Sequence, residues 1–287
     1  VTSQTIAQTI KACASVLDNH DGSLTFNEPS LEAKILVGHC VKKTFSQLIV
    51  DANEYIHADI QLNIKRCIER RLAGEPIAYI IGHQPFWTLD LDVSEHTLIP
   101  RSDTETLIET VMNLPIADDA SVVDLGTGTG AIALSLSSEK PNWQVLGIDF
   151  KQEIIELARR NALKNGLKTT FLQSDWYHAL NGLRFDLIVS NPPYVESDSP
   201  YLNQGDLRFE PRSALTSGDH GLADIKTIIT QGKMHLKKGA YMVLEHGATQ
   251  AMPITKIFLE QGYSQISTIA DINGLDRVTL AVFDKPL

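Results

Sequence analysis

Cysteine is scarce. Three of 287 residues are Cys (Cys13, Cys40 and Cys67), all in the first 70, with no CxxC pair and no Cys/His ligand spacing. A disulfide framework and a zinc centre are therefore excluded as organising devices, and the three read as small buried hydrophobes. No metal is expected. Long apolar runs are missing as well: nothing approaches the roughly 20 residues of a transmembrane helix. The opening stretch VTSQTIAQTIKACASVL has the pattern of an amphipathic helix rather than of a signal peptide. A soluble protein of the reducing cytoplasm is the expectation. Positive charge is in deficit, with 25 Lys and Arg against 35 Asp and Glu and a net charge of −10. Such a balance is poorly suited to gripping duplex nucleic acid. Residues 1–85 carry 8 basic and 9 acidic side chains, a net of −1, so the remaining −9 lies downstream. Internal repeats and low-complexity tracts are also absent.

What is present is an ordered change of period. SLEAKILVGHCV (30–41) and ADIQLNIKRCIERRLAG (58–74) place apolar residues three and four apart, as one face of a helix does. Pro29 beside Ser30 marks a helix start and Gly74 a helix stop. In PFWTLDLDVSEHTLIP (85–100) apolar and polar residues alternate, as in a strand pair or hairpin. The organisation read from this is a helical N-terminal domain over 1–84, a hairpin connector over 85–102 and a larger domain over 103–287. In the larger domain SVVDLG precedes AIALSLSSEK and WQVLGID precedes KQEIIELARRNALKNG. TTFLQSD and FDLIVSNPP follow, and later AYMVLEHG, AMPITKIFLEQG, YSQISTIAD and RVTLAVF. This alternation predicts an α/β fold, a mostly parallel sheet with helices on both faces. The short INGLD between the last two strands suits a hairpin, and hence an antiparallel member.

VVDLGTGTGAIAL sets Gly126, Gly128 and Gly130, with Thr127 and Thr129 between them, after a buried strand and before a helix. Glycines there let backbone N–H groups approach a ligand at a helix N-terminus. The next strand ends in Asp149, 19 residues beyond Gly130, where a carboxylate accepts from ribose hydroxyls. Gly126-x-Gly128-x-x-Ala131 also fits the dinucleotide fingerprint. NAD and S-adenosylmethionine therefore compete, with a bare tight turn as the third reading. Asp124 tilts the choice. A pyrophosphate gains nothing from a further anion, whereas an aminoacyl sulfonium carries cationic groups that Asp124 can hold directly or through water. Beyond the third strand, Asp175 can accept from an adenine amino group and Trp176 can pack on a ring face; core packing is the alternative for Trp176.

SNPPYV (190–195) ends an apolar run with two prolines, which remove two N–H donors and fix two φ angles. At the carboxyl edge of such a sheet the Asn191 side-chain oxygen and the Pro192 carbonyl become acceptors on a rigid frame. They suit an NH2 group gripped by its hydrogens with its nitrogen aimed at a methyl donor, and Tyr194 offers a flat ring for a planar substrate group. Amide and base nitrogens are weak nucleophiles, so placement and acceptors aimed at the growing positive charge are the help they need. A plain proline-rich strand exit is the alternative.

Taken together, VVDLGTGTGAIAL, GIDF, QSDW and SNPPYV resemble the amino-methyltransferase set of the class I S-adenosylmethionine-dependent fold. GEPIAYIIGHQPFW, TLIPRSDTE, QGDLRFEP and LEHG resemble the HemK family, protein-(glutamine-N5) methyltransferases that act on peptide chain release factors. The resemblance runs from about residue 70 to the end. NPPY is shared with DNA and RNA adenine methyltransferases and bears on the reaction, while the flanking segments bear on the substrate. The resemblance implies a Rossmann-like seven-stranded sheet with an antiparallel last strand. It also implies methylation of the glutamine of a Gly-Gly-Gln loop, with S-adenosylhomocysteine as by-product. Asp124, Gly126, Thr127, Gly128, Thr129, Gly130, Asp149, Asp175, Trp176 and Asn191 would carry the cofactor. Asn191, Pro192 and Tyr194 would act on the amide, Pro193 and Arg101 would touch substrate, and the helical domain would dock the release factor body. One departure stands out: the family reads Pro-Arg-Pro-Asp-Thr-Glu, and Ser102 replaces the second proline here. Relatives that methylate a ribosomal-protein glutamine have Pro-Arg-Ser followed by Pro, so Asp103-Thr104-Glu105 keeps this chain nearer the release-factor type.

Other residues invite competing readings. Ser102-x-x-Glu105 has the form of a capping box. His246, after Glu245, is either a general base or, as read here, a strand-end histidine satisfied by backbone, since a cationic product amide can lose its proton to water. FEPRSAL (209–215) reads as an ordered loop over the site, with Glu210 and Arg212 paired or holding substrate backbone. Lys65, Arg66, Arg70 and Arg71 read as a solvated helix face, with a docking patch for an acidic partner as the alternative. Rival functions are a ribosomal-protein glutamine methyltransferase, an adenine-N6 methyltransferase on nucleic acid (opposed by the charge), an NAD-dependent oxidoreductase (which leaves NPPY without a task) and a binding module that has lost chemistry. A monomer is expected, with no membrane contact and no direct nucleic-acid partner.

Overall fold

The computed structural model describes residues 4–19 and 28–284; the first three residues of the N-terminal helix pattern lie outside them. The chain forms two compact units, Val1–Gly82 together with Pro200–Phe209, and His83–Ser199 together with Glu210–Leu287. No helix among the described residues is long and apolar enough to cross a membrane.

The first unit is helical: α1 (Ile6–Asp18), α2 (Pro29–Val41), α3 (Phe45–Val50), α4 (Ala58–Leu72) and α5 (Ile77–Ile81). Thr5 and Thr44 open α1 and α3 as capping boxes with Gln8 and Gln47, and Pro29 sits in the first turn of α2. Leu17, Ala33, Leu36, Val37 and Ile64 fill the interior between the helices. Of the basic cluster on α4, Lys65, Arg66 and Arg70 are exposed, as the solvated face expected of it requires, and Arg71 departs from that reading. Arg71 is buried, its Nε bonding Glu32 Oε2 at 2.8 Å and its Nη1 bonding Asp206 Oδ1 at 3.1 Å. Arg70 pairs with Glu75 and Lys65 with Glu69. A guanidinium fork satisfies two carboxylates at once, which makes its burial tolerable.

The second unit opens with the antiparallel hairpin β1 (His83–Phe86) and β2 (Leu89–Asp92), then α6 (Glu105–Met112), β3 (Ser121–Leu125), α7 (Ala131–Glu139), β4 (Gln144–Asp149), α8 (Gln152–Lys164), β5 (Thr170–Gln173) and β6 (Phe185–Ser190). Short pieces follow: β7 (Val195–Glu196), α9 (Arg212–Leu215), β8 (Thr216–Ser217) and α10 (Gly218–Gly221). The unit ends with α11 (Ala223–Gly232), β9 (Leu236–Glu245), α12 (Ala251–Glu260), β10 (Ser264–Ala270) and β11 (Asp276–Phe283).

Seven strands form one sheet in the order β10-β11-β9-β6-β3-β4-β5. β11 runs antiparallel to both neighbours and the remaining pairings are parallel. β3 and β6 lie at the centre and are apolar on both faces, with Val122, Val123, Leu125, Leu187, Ile188 and Val189 all buried, as parallel strands covered by helices require. The chain moves outward from β3 through β4 to β5 and then returns to lay β6 on the other side of β3. That reversal makes a switch point, and the crevice beyond the carboxyl ends of β3 and β6 is where such sheets bind ligands.

The hairpin is more than a connector. Asp90 and Asp92 N–H groups donate to Asn165 and Asn161 Oδ1 at 3.2 and 2.8 Å, and the two Asn side chains donate back to the Asp90 and Asp92 carbonyls at 3.0 Å. The edge of β2 is thus completed by α8. The capping-box expectation fails nearby. Ser102–Thr104 forms a single 3-10 turn and α6 begins without a side-chain cap. Glu105 Oε1 instead accepts from the Trp87 N–H in the hairpin turn at 2.9 Å, a donor that the two-strand ladder leaves without a partner.

Candidate active site

The loop after β3 turns on left-handed glycines: Gly126, Gly128 and Gly130 have φ of 71°, 55° and 87°, values that side chains with a Cβ avoid. The Thr127 N–H donates to the Ile148 carbonyl at 2.8 Å, which ties the loop to β4. At the end of β4 the Asp149 carboxylate accepts from the Gly128 and Phe150 N–H groups at 3.0 and 2.8 Å. Burial pushes its pKa up, and these two bonds pull it back. Asp124 lies beneath the loop, fully buried. Its Oδ2 accepts from Thr127 Oγ1 at 2.6 Å and from the Ala133 N–H at 3.2 Å, and burial pushes its carboxyl up to about 7.

A cavity of about 280 Å³ opens over this loop. One wall is Gly126, Thr127, Gly128, Thr129 and Asp149; facing them are Asp175, Trp176, Asn191 and Pro193. The carboxyl ends of four strands, β3, β4, β5 and β6, therefore meet here, as the switch-point argument requires. Trp176 adopts a φ of 43°, a strained value for a bulky residue. Ser174 holds that turn, its hydroxyl donating to the Trp176 carbonyl at 2.7 Å and accepting from the Ala179 N–H at 3.0 Å.

Five expected site residues stand outside the lining. Asp124 braces the loop from below instead of facing a ligand. Gly130 caps α7, and Pro192 is buried. Tyr194 packs on the core beneath β6 and β9, its hydroxyl donating to Glu245 Oε1 at 3.3 Å. Arg101 is ion-paired with Glu210, whose side chain is wholly buried. His246 is also occupied. Its Nδ1 lies 2.9 Å from the Gly247 carbonyl and its Nε2 2.8 Å from Thr279 Oγ1. A carbonyl only accepts, so Nδ1 carries the proton and Nε2 accepts from Thr279. Burial lowers its pKa further, and the general-base reading falls away.

Other lining residues carried no role in the sequence reading. Phe150 directly follows Asp149, and Asp224 stands in the first turn of α11; an acid there reads only as dipole compensation. Thr104 lines the cavity and accepts from Asn191 Nδ2 at 3.1 Å; the capping-box pattern around it masked this contact. Behind it Glu245 is buried and pushed up to about 7 by that burial, with Thr104, Arg277 and Tyr194 opposing the shift. Among the described residues no three His, Cys, Asp or Glu side chains are placed to hold a metal ion.

Comparison with known proteins gives this geometry a family. The model of the methyltransferase small domain matches residues 102–205 and that of the PrmC N-terminal domain residues 9–82. The chain is 43% identical over 283 residues to the release factor glutamine methyltransferase of Vibrio cholerae serotype O1, covering 98% of each. It is 43% identical over 275 residues to that of Pasteurella multocida, covering 88% of this chain and 92% of the relative. The solved hMettl16 catalytic domain, in complex with the MAT2A 3'UTR hairpin 1, superposes with a TM-score of 0.58 over 87% of this chain and 91% of that one. At 16% identity that likeness speaks to the fold alone. With two fifths of its residues shared along almost its whole length, the chain belongs to the family of release factor glutamine methyltransferases.

Proposed function

We propose that this chain transfers the methyl group of S-adenosylmethionine to the side-chain amide nitrogen of the glutamine in the Gly-Gly-Gln loop of peptide chain release factors. The observation that carries the reading is one cavity with two chemistries on its walls: the glycine loop with Asp149, and Asn191 and Pro193 of the strand exit after β6.

The residues fit the cofactor. A Cβ on Gly126 would come within 3.7 Å of the Trp176 ring, so the bare glycine keeps a slot open between backbone and indole. Asp149 already spends one lone pair of each oxygen on backbone N–H groups and retains others for ribose hydroxyls. Asp175 and Trp176 would hold the adenine. When bound, S-adenosylmethionine supplies a methyl group made electrophilic by the sulfonium.

The chain's own residues deal with a poor nucleophile. Asn191 Oδ1 and the Pro192 carbonyl accept the two amide hydrogens and so set the plane and direction of the nitrogen. The two prolines keep those acceptors from rotating away. As the nitrogen gains positive charge, acceptors already aimed at its hydrogens strengthen without reorganising. The proton of the methylated amide passes to water, because both nitrogens of His246 are engaged. The release factor body docks on the helical unit, a reading supported by Ile49 and Val50, which stay 78% and 82% exposed.

Mass spectrometry after incubation with S-adenosylmethionine and a purified release factor tests the reading. One added methyl on the loop glutamine is expected. Asn191→Ala should lower the rate by roughly 100-fold or more. Bound cofactor without transfer to the release factor would move the substrate to the ribosomal-protein or nucleic-acid alternatives.

A further inference from the structure

We infer that Gln250 is a positioning residue for this reaction: its side-chain amide holds the Tyr194 carbonyl and so fixes the far end of the stiff segment that presents Asn191 to the cavity. The inference rests on the methyl-transfer reading above.

Asn191 and Pro192 each precede a proline, which confines their ψ angles to the extended range, and Pro192 and Pro193 have fixed φ. The segment therefore moves as one short rod. A rod held at one end can still swing. β6 holds the near end, where Ser190 pairs with Leu125 and Leu244 in the sheet and its hydroxyl donates to the Leu125 carbonyl at 2.6 Å. The far end is Tyr194. Its ring is packed on the core and its hydroxyl donates to Glu245, which holds the side chain. Gln250 holds the backbone itself, with Nε2 donating to the Tyr194 carbonyl at 3.0 Å. The same nitrogen donates to the His220 carbonyl at 3.3 Å, and Gln250 Oε1 accepts from the Gly247 N–H at 2.9 Å. An N–H only donates and carbonyls only accept, so the orientation of this amide is settled at both ends.

Local preference is set aside on both sides of this contact. Gln250 stands at the N-cap of α12, where Ser, Thr, Asp or Asn would bond the first turn, and it makes no such bond. Its side chain reaches Tyr194 instead. Opposite, Asp219 and His220 of α10 adopt φ of 52° and 54°, values unfavourable for residues with a Cβ. That left-handed turn lays Gly221 against the strand exit. A Cβ there would collide with the Tyr194 oxygen and would stand 2.7 Å from Gln250 Nε2. Strain of this kind persists only where the surroundings impose it, and here two distant stretches of chain converge on one carbonyl.

The test is steady-state kinetics of the full chain with S-adenosylmethionine and a purified release factor, alongside equilibrium dialysis of the cofactor. Gln250→Met keeps the length and removes the hydrogen bonds. It should lower kcat by about 10- to 100-fold, the cost of misplacing reacting groups by up to about 1 Å. The KM for the release factor should stay within about three-fold and cofactor affinity within about two-fold, since Gln250 lies outside the cavity lining. General loosening of the site would move all three. Two further variants separate the bonds of the amide and stand in for the methionine one if it fails to fold. Gln250→Glu keeps an acceptor for the Gly247 N–H but sets a carboxylate, which only accepts, against two carbonyls; it should be at least as impaired as methionine. Gln250→Lys cannot accept from Gly247 but can donate to both carbonyls, and it should recover kcat to within about five-fold of wild type. An unchanged kcat in Gln250→Met, a loss confined to KM or cofactor affinity, or a glutamate variant more active than the lysine one would each overturn the inference while leaving the function intact. A wild-type chain that binds cofactor but methylates no release factor would bring down both.

Discussion

Asp124 combines two demands that conflict. It anchors the glycine loop through Thr127 and Ala133, and it does so from a site without solvent, where the charged form is costly. Its carboxyl is pushed up to about 7, chiefly by burial, with Asp149 adding to the shift. The folded state therefore keeps a proton that the unfolded chain sheds near pH 4. Stability from this group is fully present below that pH and is lost as pH rises through about 7. Asn in the same place does not titrate. Asp124→Asn should therefore gain on wild type by about 1–3 kcal/mol between pH 5 and pH 8, from urea midpoints at the two values. A difference that does not change with pH would show that Asp124 is charged throughout. The same residue marks a limit of reading side chains one at a time: a carboxylate at a strand end reads as a ligand for cationic groups, and its burial under its own loop depends on how α7 packs.

The hairpin and α8 show what can and cannot be read at the level of elements. Alternation in 85–100 was enough to foresee a hairpin, because period 2 is a local property, though β2 ends at Asp92 and no strand continues over 93–100. The glycine loop and the strand exit at Asn191 were legible as cavity walls for a similar reason: each is marked by a short local run of residues. The clamp that completes β2 was not legible, since Asn161 and Asn165 look like ordinary polar positions on a helix and their partners lie 69 and 75 residues earlier. Glu105 was misread by the same mechanism, a local motif losing to the distant Trp87 N–H, and the partner of Arg101 lies 109 residues away. Asn161 goes further than Asn165, donating also to the Thr129 carbonyl at 2.9 Å, so one buried amide joins hairpin, helix and glycine loop. Asn161→Leu should cost about 2–4 kcal/mol through the backbone groups it leaves unpaired, and it should weaken cofactor binding. Asn165→Leu should destabilise the chain without touching cofactor affinity. Equal losses of affinity in both would mean that the loop does not depend on Asn161.

Across the whole molecule the chain path is discontinuous. Residues Pro200–Phe209 follow β7 of the sheet-bearing unit, yet they belong to the helical one. The helix period of α4 gave no hint of this, because Arg71 looks like one more cation in a charged run until Asp206 arrives from 135 residues downstream. Arg71 meets Glu32 with two nitrogens, Nε at 2.8 Å and Nη2 at 3.1 Å, and gives Nη1 to both the Glu75 carbonyl and Asp206. A fork of this kind contributes little when compared with an apolar packing, but removing Arg71 leaves Glu32, largely shielded from water, without its cation, while Asp206 stays partly exposed. Arg71→Ala should therefore destabilise the helical unit by about 3–5 kcal/mol. Arg71→Lys should recover only part of that, because an ammonium cannot reproduce the two-pronged contact. Hydrogen exchange distinguishes this from general weakening. Amides in 200–209 and along α4 should exchange faster in Arg71→Ala, while those of β3 and β6, whose packing involves none of these residues, keep their protection. Faster exchange in β3 and β6 with 200–209 unchanged would mean that the segment is held by something other than Arg71.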